Sequence, residues 1–166
     1  TLAGAAGVYG SANSSDGTGA TAKFNYPWGI STSAPSGSYT QGRLFVADRN
    51  NHSIRAVDVA TGATTTLAGA AGVVGSDNSS DGTGATARFN YPYGISYSAP
   101  DAAYTQGRLF VVDTGNHSIR QIDVATGNTS TVLGQAGQRG FSPGAAPGVL
   151  NNPMGVAVSG NTLYIT

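Results

Sequence analysis

The 166-residue sequence lacks cysteine and glutamate, and it contains one lysine, Lys23. Because cysteine is absent, the chain can form neither a disulfide nor a thiolate metal site, although this absence does not fix the cellular compartment. A closed zinc site needs about four converging ligands. The chain offers two histidines and eight acidic residues, all of them aspartate. We therefore expect no metal and no other cofactor.

Charged residues are also scarce in this chain. They make up 10% of the sequence, and eight basic residues balance eight acidic ones to a net charge of zero. A surface that binds nucleic acid is normally a strongly basic patch. The uninterrupted apolar runs are far too short to cross a bilayer. We expect neither nucleic-acid binding nor membrane insertion.

Glycine is abundant, with 25 residues, and serine, threonine and asparagine are frequent. This composition disfavours helices and favours strands joined by turns. The sequence is also repetitive, because residues 1–65 align with residues 66–130 and about fifty of the paired positions are identical. A more divergent third copy follows, in which Pro153 corresponds to Pro92. A repeat of this length indicates an architecture of stacked equivalent units.

Each unit contains four short strand-like segments separated by turn residues. In the first unit they are WGISTS (28–33), RLFVAD (43–48), SIRAVDV (53–59) and TTTLAG (64–69). The second segment is apolar on both alternating faces, which predicts that it is buried on both sides. Solenoid repeats are usually shorter and carry fewer strands. The pattern therefore predicts an all-β fold, an incomplete β-propeller of about two and a half blades with four antiparallel strands each.

The residues resemble a known family. YPWGIS…GRLFVADRNNHSIRAVD and YPYGIS…GRLFVVDTGNHSIRQID are similar to NHL repeats, with the Asn-His-Leu signature read here as Asn-His-Ser. NNPMGVAVSGNTLYIT is similar to the first half of another repeat. The resemblance covers essentially the whole chain and implies a β-propeller, most often six-bladed. The connections that carry SSDGTGATA(K/R)FNYP are longer than the usual pattern.

The resemblance divides the chain into four segments. They are the outer strand of a preceding or closing blade (1–4), a first blade with a long entry loop (5–69), a second such blade (70–134) and the first half of a third (135–166). The half blade leaves an apolar strand edge unpaired. We expect the chain to be a segment of a longer protein or, alternatively, to self-associate through its open blade edges.

Two histidines, His52 and His117, occupy equivalent positions in the repeated signature. A neutral imidazole can bind a metal, but equivalent residues of different blades are separated by a blade width. The alternative is that each histidine caps the turn after the second strand. It would then bond the neighbouring backbone or the aspartate that ends that strand, Asp48 or Asp113. We predict this structural role.

Trp28, Tyr93 and Met154 share one equivalent position, just before the innermost strand of each unit. Exposed side chains there could form a ring that binds a peptide, a glycan or another subunit. Alternatively, they wedge between adjacent blades, where the preceding proline fixes the entry angle of the chain. In either case the three side chains line one face of the blades.

Two further polar patterns are more simply structural. Arg55 and Asp58 lie three residues apart on a strand and so point to opposite faces, where we expect modest surface ion pairs. The SSDGTG loop supplies one carboxylate, Asp16, whereas calcium normally takes several. We predict a glycine-rich turn that lets the loop fold over the blade.

Five asparagines fit the N-glycosylation pattern, namely Asn13, Asn51, Asn78, Asn116 and Asn128. Asn13 and Asn78 lie in loops rich in glycine and serine and are the best candidates to carry sugar. Frequent asparagine, serine and threonine can also produce such patterns by chance. We interpret the pattern as favouring an extracellular or cell-surface protein.

These observations lead to a functional expectation. The first interpretation is a noncatalytic extracellular scaffold or interaction module that binds a protein or a glycan, with a glycosylated surface or filament protein as one form. The second is a segment of a propeller enzyme of the lactonase or lyase type, with its metal ligands outside this segment. We expect no enzymatic activity from the chain itself.

Overall fold

The computed structural model describes residues 1–5, 14–75, 80–140, 142 and 147–166. Within these ranges the regular structure is antiparallel β-sheet with four short 3-10 turns. Two five-stranded sheets and one two-stranded sheet follow one another along the chain. The predicted all-β fold and the incomplete, propeller-like arrangement are confirmed.

The first repeat unit forms one sheet. Its strands are β1 (Gly17–Thr18), β2 (Pro27–Thr32), β3 (Arg43–Asp48), β4 (Ser53–Asp58) and β5 (Ala63–Ala68). Its 3-10 turns are Gly19–Thr21 and Arg49–Asn51. The strands are ordered β1-β5-β4-β3-β2 and every neighbouring pair is antiparallel. The four predicted segments correspond to β2–β5, with ends that agree within one residue.

The second unit repeats this arrangement and a third is half formed. The second sheet contains β6 (Gly82–Thr83), β7 (Pro92–Ser98), β8 (Arg108–Asp113), β9 (Ser118–Asp123) and β10 (Asn128–Leu133), in the order β6-β10-β9-β8-β7. Its 3-10 turns are Gly84–Thr86 and Thr114–Asn116. The half blade pairs β11 (Val156–Ser159) with β12 (Thr162–Ile165).

Two details go beyond the four-stranded prediction. The entry loop of each full blade contributes an additional two-residue strand, β1 or β6, at the outer edge of the sheet. Residues 1–4 form no strand. The Gly4 N–H donates to the Gly19 carbonyl at 3.0 Å, as the Gly69 N–H does to Gly84 at 3.1 Å. Residues 1–4 thus contact the entry loop of the first blade in the same way as the end of β5 contacts the entry loop of the second blade.

The main core lies between the first two sheets. The first sheet contributes buried side chains on β3, β4 and β5, and the second sheet contributes its entry loop and β7–β9. Prominent members are Phe45, Ile54, Phe89, Ile95 and Leu109. A second cluster, built on Phe110, Val112 and Ile119, packs against the half blade. The middle strands are therefore covered on both sides, as their doubly apolar pattern predicts.

The inner strands β2, β7 and β11 approach one another closely where the blades converge. A Cβ added at Gly94 would lie 2.6 Å from the carbonyl oxygen of Met154. A Cβ at Gly29 would clash with the carbonyl oxygen of Tyr93. Glycine is required at both positions because any side chain would push the neighbouring inner strand away.

One face of the first sheet is open. Ile30 on β2 is 60% exposed, whereas its repeat equivalent Ile95 on β7 is 7% exposed because the first blade covers it. The open face forms an apolar groove of about 350 Å³, bordered by Leu2, Phe24 and Leu44 among others. The equivalent face of the second sheet is the one that packs against the first unit.

Within the described ranges, we find no helix with the length and apolar character needed to cross a membrane.

Candidate functional site

The turn after each second strand is built around a buried aspartate. The Asp48 carboxylate accepts hydrogen bonds from the Asn25 N–H at 2.8 Å, from Asn51 Nδ2 at 2.8 Å and from Arg55 Nη1 at 3.0 Å. Asp113 has the same three kinds of partner in the second blade. Burial raises the pKa of both carboxyls, and these donors oppose part of the shift. The aspartates are fixed parts of the turn.

His52 and His117 end the 3-10 turns in the left-handed conformation, with φ of 53° and 55°. Their Nδ1 atoms accept hydrogen bonds across the blade boundary, from the Tyr91 N–H and the Asn152 N–H respectively, each at 3.1 Å. Of the two contacts that the sequence left open, the histidines make the one to backbone, and asparagine bonds the aspartate instead. Each histidine joins its own blade to the next.

Acid is expected to weaken these hydrogen bonds between blades. Burial lowers the pKa of both imidazoles below 6.5, and nearby arginines, Arg49 for His52 and Arg139 for His117, lower it further. As the pH falls through about 6.5, the unfolded chain takes up protons that the folded chain still resists. The stabilisation that the neutral imidazoles provide is therefore complete above that pH. It is lost as the pH falls toward the lower pKa values that the two histidines have in the folded protein. Urea unfolding should give a lower free energy of unfolding at pH 5.5 than at pH 7.5.

A double variant, His52→Asn with His117→Asn, is the control for this pH dependence. Asparagine tolerates the left-handed conformation and does not titrate. The difference between the two proteins isolates the imidazoles from the buried carboxyls, which both proteins retain. Parallel pH profiles for the wild-type and variant proteins would contradict the prediction.

Arg55 does not form the surface ion pair that its sequence position predicts. Its side chain is fully buried, and it bonds Asp16 at 2.8 Å as well as Asp48 at 3.0 Å. The same guanidinium donates to Ser14 Oγ and to the carbonyls of Ser15 and Lys23. The reason is that the long entry loop folds over β4 and encloses the arginine. Arg55 therefore holds the SSDGTG loop in place, and the Asp16 carboxylate pairs with this arginine.

Two of the five predicted sugar acceptors are wrong for the folded protein. Asn51 and Asn116 are each 1% exposed, and their amide nitrogens are bonded to the buried aspartates. A buried, bonded amide cannot receive a glycan. Asn128 is exposed at the start of β10, and it stays a candidate. Asn13 and Asn78 lie outside the described residues.

Trp28, Tyr93 and Met154 do lie at equivalent places beside the converging inner strands. Trp28 is 62% exposed and Met154 is 55% exposed, while Tyr93 is half-buried. The Trp28 and Tyr93 rings are in contact, with centroids 4.7 Å apart and planes tilted by 48°. The rings pack across the blade boundary and still present a large area to solvent. Binding at this position stays a prediction.

Two residues that the sequence analysis did not select complete this surface. The Arg49 guanidinium lies over the Tyr91 ring at 4.8 Å and near the Tyr93 ring at 5.2 Å. Tyr91 is 41% exposed and its ring also meets the edge of His52. We call Trp28, Arg49, Tyr91 and Tyr93 the junction cluster. One available signal was that Arg49 differs from its repeat equivalent, Thr114.

A metal centre is not among the sites that the described part of the chain forms. There, no group of three or more histidine, cysteine, aspartate or glutamate side chains is placed to hold an ion. The junction cluster and Met154 together form a surface of large, at least partly exposed side chains beside the converging inner strands.

Solved structures share this architecture. An auxiliary nutrient binding protein from Bacteroides thetaiotaomicron superposes with a TM-score of 0.65 and 20% identity, over 74% of this chain and 32% of that chain. An auxiliary nutrient binding protein from Bacteroides ovatus gives a TM-score of 0.56 and 20% identity, over 69% and 29%. At this identity the likeness shows the fold, which is that of a β-propeller protein built from stacked antiparallel blades.

Sequence relatives give the family. The chain is 36% identical over 111 residues to NHL repeat-containing protein 2 of Homo sapiens, covering 67% of this chain and 14% of the relative. It is 30% identical over 122 residues to the chloroplastic protein SUPPRESSOR OF QUENCHING 1 of Arabidopsis thaliana, covering 70% and 11%. No protein-family profile matches the chain. With its repeated signature and blades, the chain belongs to the NHL-repeat family, and it spans about a seventh or less of these relatives.

Proposed function

We propose that this chain is a noncatalytic binding module, a rigid propeller segment that holds a partner on the face where its inner strands begin. The observation that carries the proposal is the row of solvent-facing side chains on that face, with Trp28 62% exposed and Met154 55% exposed. Large apolar side chains in such exposed positions are typical of interaction surfaces. Two propeller neighbours are nutrient binding proteins by name, which supports a binding role.

We further propose an extracellular or cell-surface location. The support is the sugar-acceptor pattern at Asn13, Asn78 and Asn128. Intact-mass measurement of native material, with and without glycosidase treatment, tests this part. A mass equal to that of the bare polypeptide in both samples would contradict it.

Self-association is the third part of the proposal. The open face around Ile30 is of the same kind as the face around Ile95, which one blade of this repeat covers. A blade of a second copy of the chain therefore fits it, which would build a ring or filament. Light scattering over a range of protein concentrations should show a mass that rises with concentration. A constant monomer mass would contradict self-association, but it would not bear on the proposed binding face at Trp28.

The binding face is tested by comparing two exposed aromatic residues. Trp28→Ala should weaken binding of the partners found on glycan and protein arrays by about tenfold or more, as for a central interface residue. Tyr164→Ala is the matched control, because Tyr164 is 60% exposed on the half blade, outside the junction cluster. Equal effects of the two substitutions would contradict this binding face, and catalytic turnover by the purified chain would contradict a noncatalytic role.

A further inference from the structure

The junction cluster has the parts of a small-molecule site. Two rings from adjacent blades, Trp28 and Tyr93, form a tilted platform with centroids 4.7 Å apart. The Arg49 guanidinium lies beside this platform, 5.2 Å from the Tyr93 ring and 4.8 Å from the Tyr91 ring. Ligand sites commonly combine aromatic walls with a few fixed polar groups in this way.

Arg49 brings an unneutralised positive charge to the cluster. It forms no ion pair with a carboxylate of the described residues, and its Nη1 donates to a neutral acceptor, Asn50 Oδ1, at 2.7 Å. The adjacent carboxylate, Asp48, is fully buried and already accepts three donors. The neighbouring imidazole of His52 accepts a backbone N–H. The cluster therefore favours an anionic group.

Tyr91 holds its ring at a conformational cost. Its φ is 50°, and the equivalent residue in the first unit, Tyr26, has the same value. The third unit places Asn152 there, with φ of 47°, and asparagine adopts this region more readily than tyrosine. The third unit shows that asparagine can occupy this turn. A tyrosine at the same position despite the strain therefore points to a function for its side chain.

The cluster is also specific to one blade boundary. At the next boundary Thr114 replaces Arg49, and its Oγ1 donates to the Pro153 carbonyl at 2.7 Å. There Asn152 and Met154 stand in place of Tyr91 and Tyr93. The two boundaries share their backbone, so the difference lies in the side chains that face solvent.

From these observations we infer that the junction cluster binds a carboxylated sugar, such as a uronic acid unit of an acidic oligosaccharide. The faces of the Trp28 and Tyr93 rings are electron-rich and attract the C–H groups on one face of a pyranose ring. The guanidinium pairs with a carboxylate through two parallel hydrogen bonds. Peptides are commonly recognised by an exposed strand edge, an extended groove or a cluster of arginines, whereas this surface presents tilted rings and a single arginine. This inference rests on the binding role proposed above.

The only tryptophan in the chain is Trp28, so its fluorescence reports binding directly. Titration of the 166-residue chain with tetragalacturonate, a hyaluronate tetrasaccharide and an alginate tetramer should give a saturable change with at least one of them. The methyl ester of that ligand, which lacks the negative charge, should bind about tenfold more weakly or worse. Raising the salt concentration should weaken the acid form more than the ester.

Arg49→Thr is the matched variant, because threonine occupies this position in the second unit. It should keep the unfolding temperature and lose about tenfold or more in affinity for the acidic sugar. Failure of all three acidic sugars, equal binding of acid and ester, or unchanged affinity of Arg49→Thr would each overturn the inference. Preferred binding of an acidic peptide such as polyglutamate would also overturn it, while the array comparison at Trp28 would still support a binding module.

Discussion

Replacing Arg120 by alanine is expected to lower the free energy of unfolding by about 3–5 kcal/mol, because it leaves a buried carboxylate without its countercharge. Arg120 is fully buried and pairs with Asp113 at 3.0 Å and with Asp81 at 2.8 Å. It also donates to the Arg88 and Ser80 carbonyls, which fastens the entry loop to the blade. For a domain of this size the loss corresponds to a fall in Tm of roughly 6–20 °C.

The control for this prediction is a partly exposed arginine on the same sheet. Arg108 pairs with Asp101 at 3.4 Å, with side chains 21% and 44% exposed. An ion pair of this kind contributes at most about 1 kcal/mol, so Arg108→Ala should change Tm little. Thermal and urea unfolding of the two variants measure the difference. A loss for Arg120→Ala no larger than that for Arg108→Ala would show that the buried network does not stabilise the blade.

Phe89→Ala should lower the free energy of unfolding by a similar amount, about 3–5 kcal/mol, because it removes a large side chain from a closed core. Phe89 is fully buried between the first two sheets, and the Arg120 guanidinium lies 5.2 Å from its ring centroid. The cavity lies at the blade boundary, so the variant should also loosen the joint between the two units.

The repeat supplies the control for Phe89. Its equivalent Phe24 lies against the same kind of arginine, Arg55, at 5.2 Å, but borders the open groove and is only half-buried. Phe24→Ala should therefore cost clearly less in urea unfolding. Equal losses would contradict an open face and indicate that another blade covers Phe24 in the protein.

Much of the fold follows from local pattern. Apolar residues on both faces of RLFVAD require cover on both sides, and β3 is buried as this requires. Turn residues between the segments fix the strand ends, and glycine at position 29 meets the neighbouring inner strand closely. The entry loop was harder to predict, because the two-residue strand β1 depends on pairing with Ala63–Thr64 across the sheet rather than on its own composition.

The candidate site was only partly predictable. The position of Trp28 and Tyr93 followed from the repeat, but their contact depends on the angle at which two blades meet. Arg49 reaches the Tyr93 ring from the turn after β3 of the first blade. Tyr91 lies 39 residues from its hydrogen-bond partner His52. The burial of Arg55 was missed because the loop that encloses it is distant in sequence, and a strand pattern does not show where a loop folds.

The repeated unit, the order of its strands and the positions of its turns could all be predicted without a structure. These depend on side-chain alternation and turn chemistry within a few residues. Which polar groups are buried in contacts between elements, and which lie on a surface, depends on how the elements pack. The entry loop of its own blade encloses Arg55. Stacking of the two sheets buries His52 and also brings Arg49 beside two rings of the second blade. Burial and charge pairing depend on contacts between residues far apart in the chain, within one blade or across two, and a local sequence pattern does not specify those contacts.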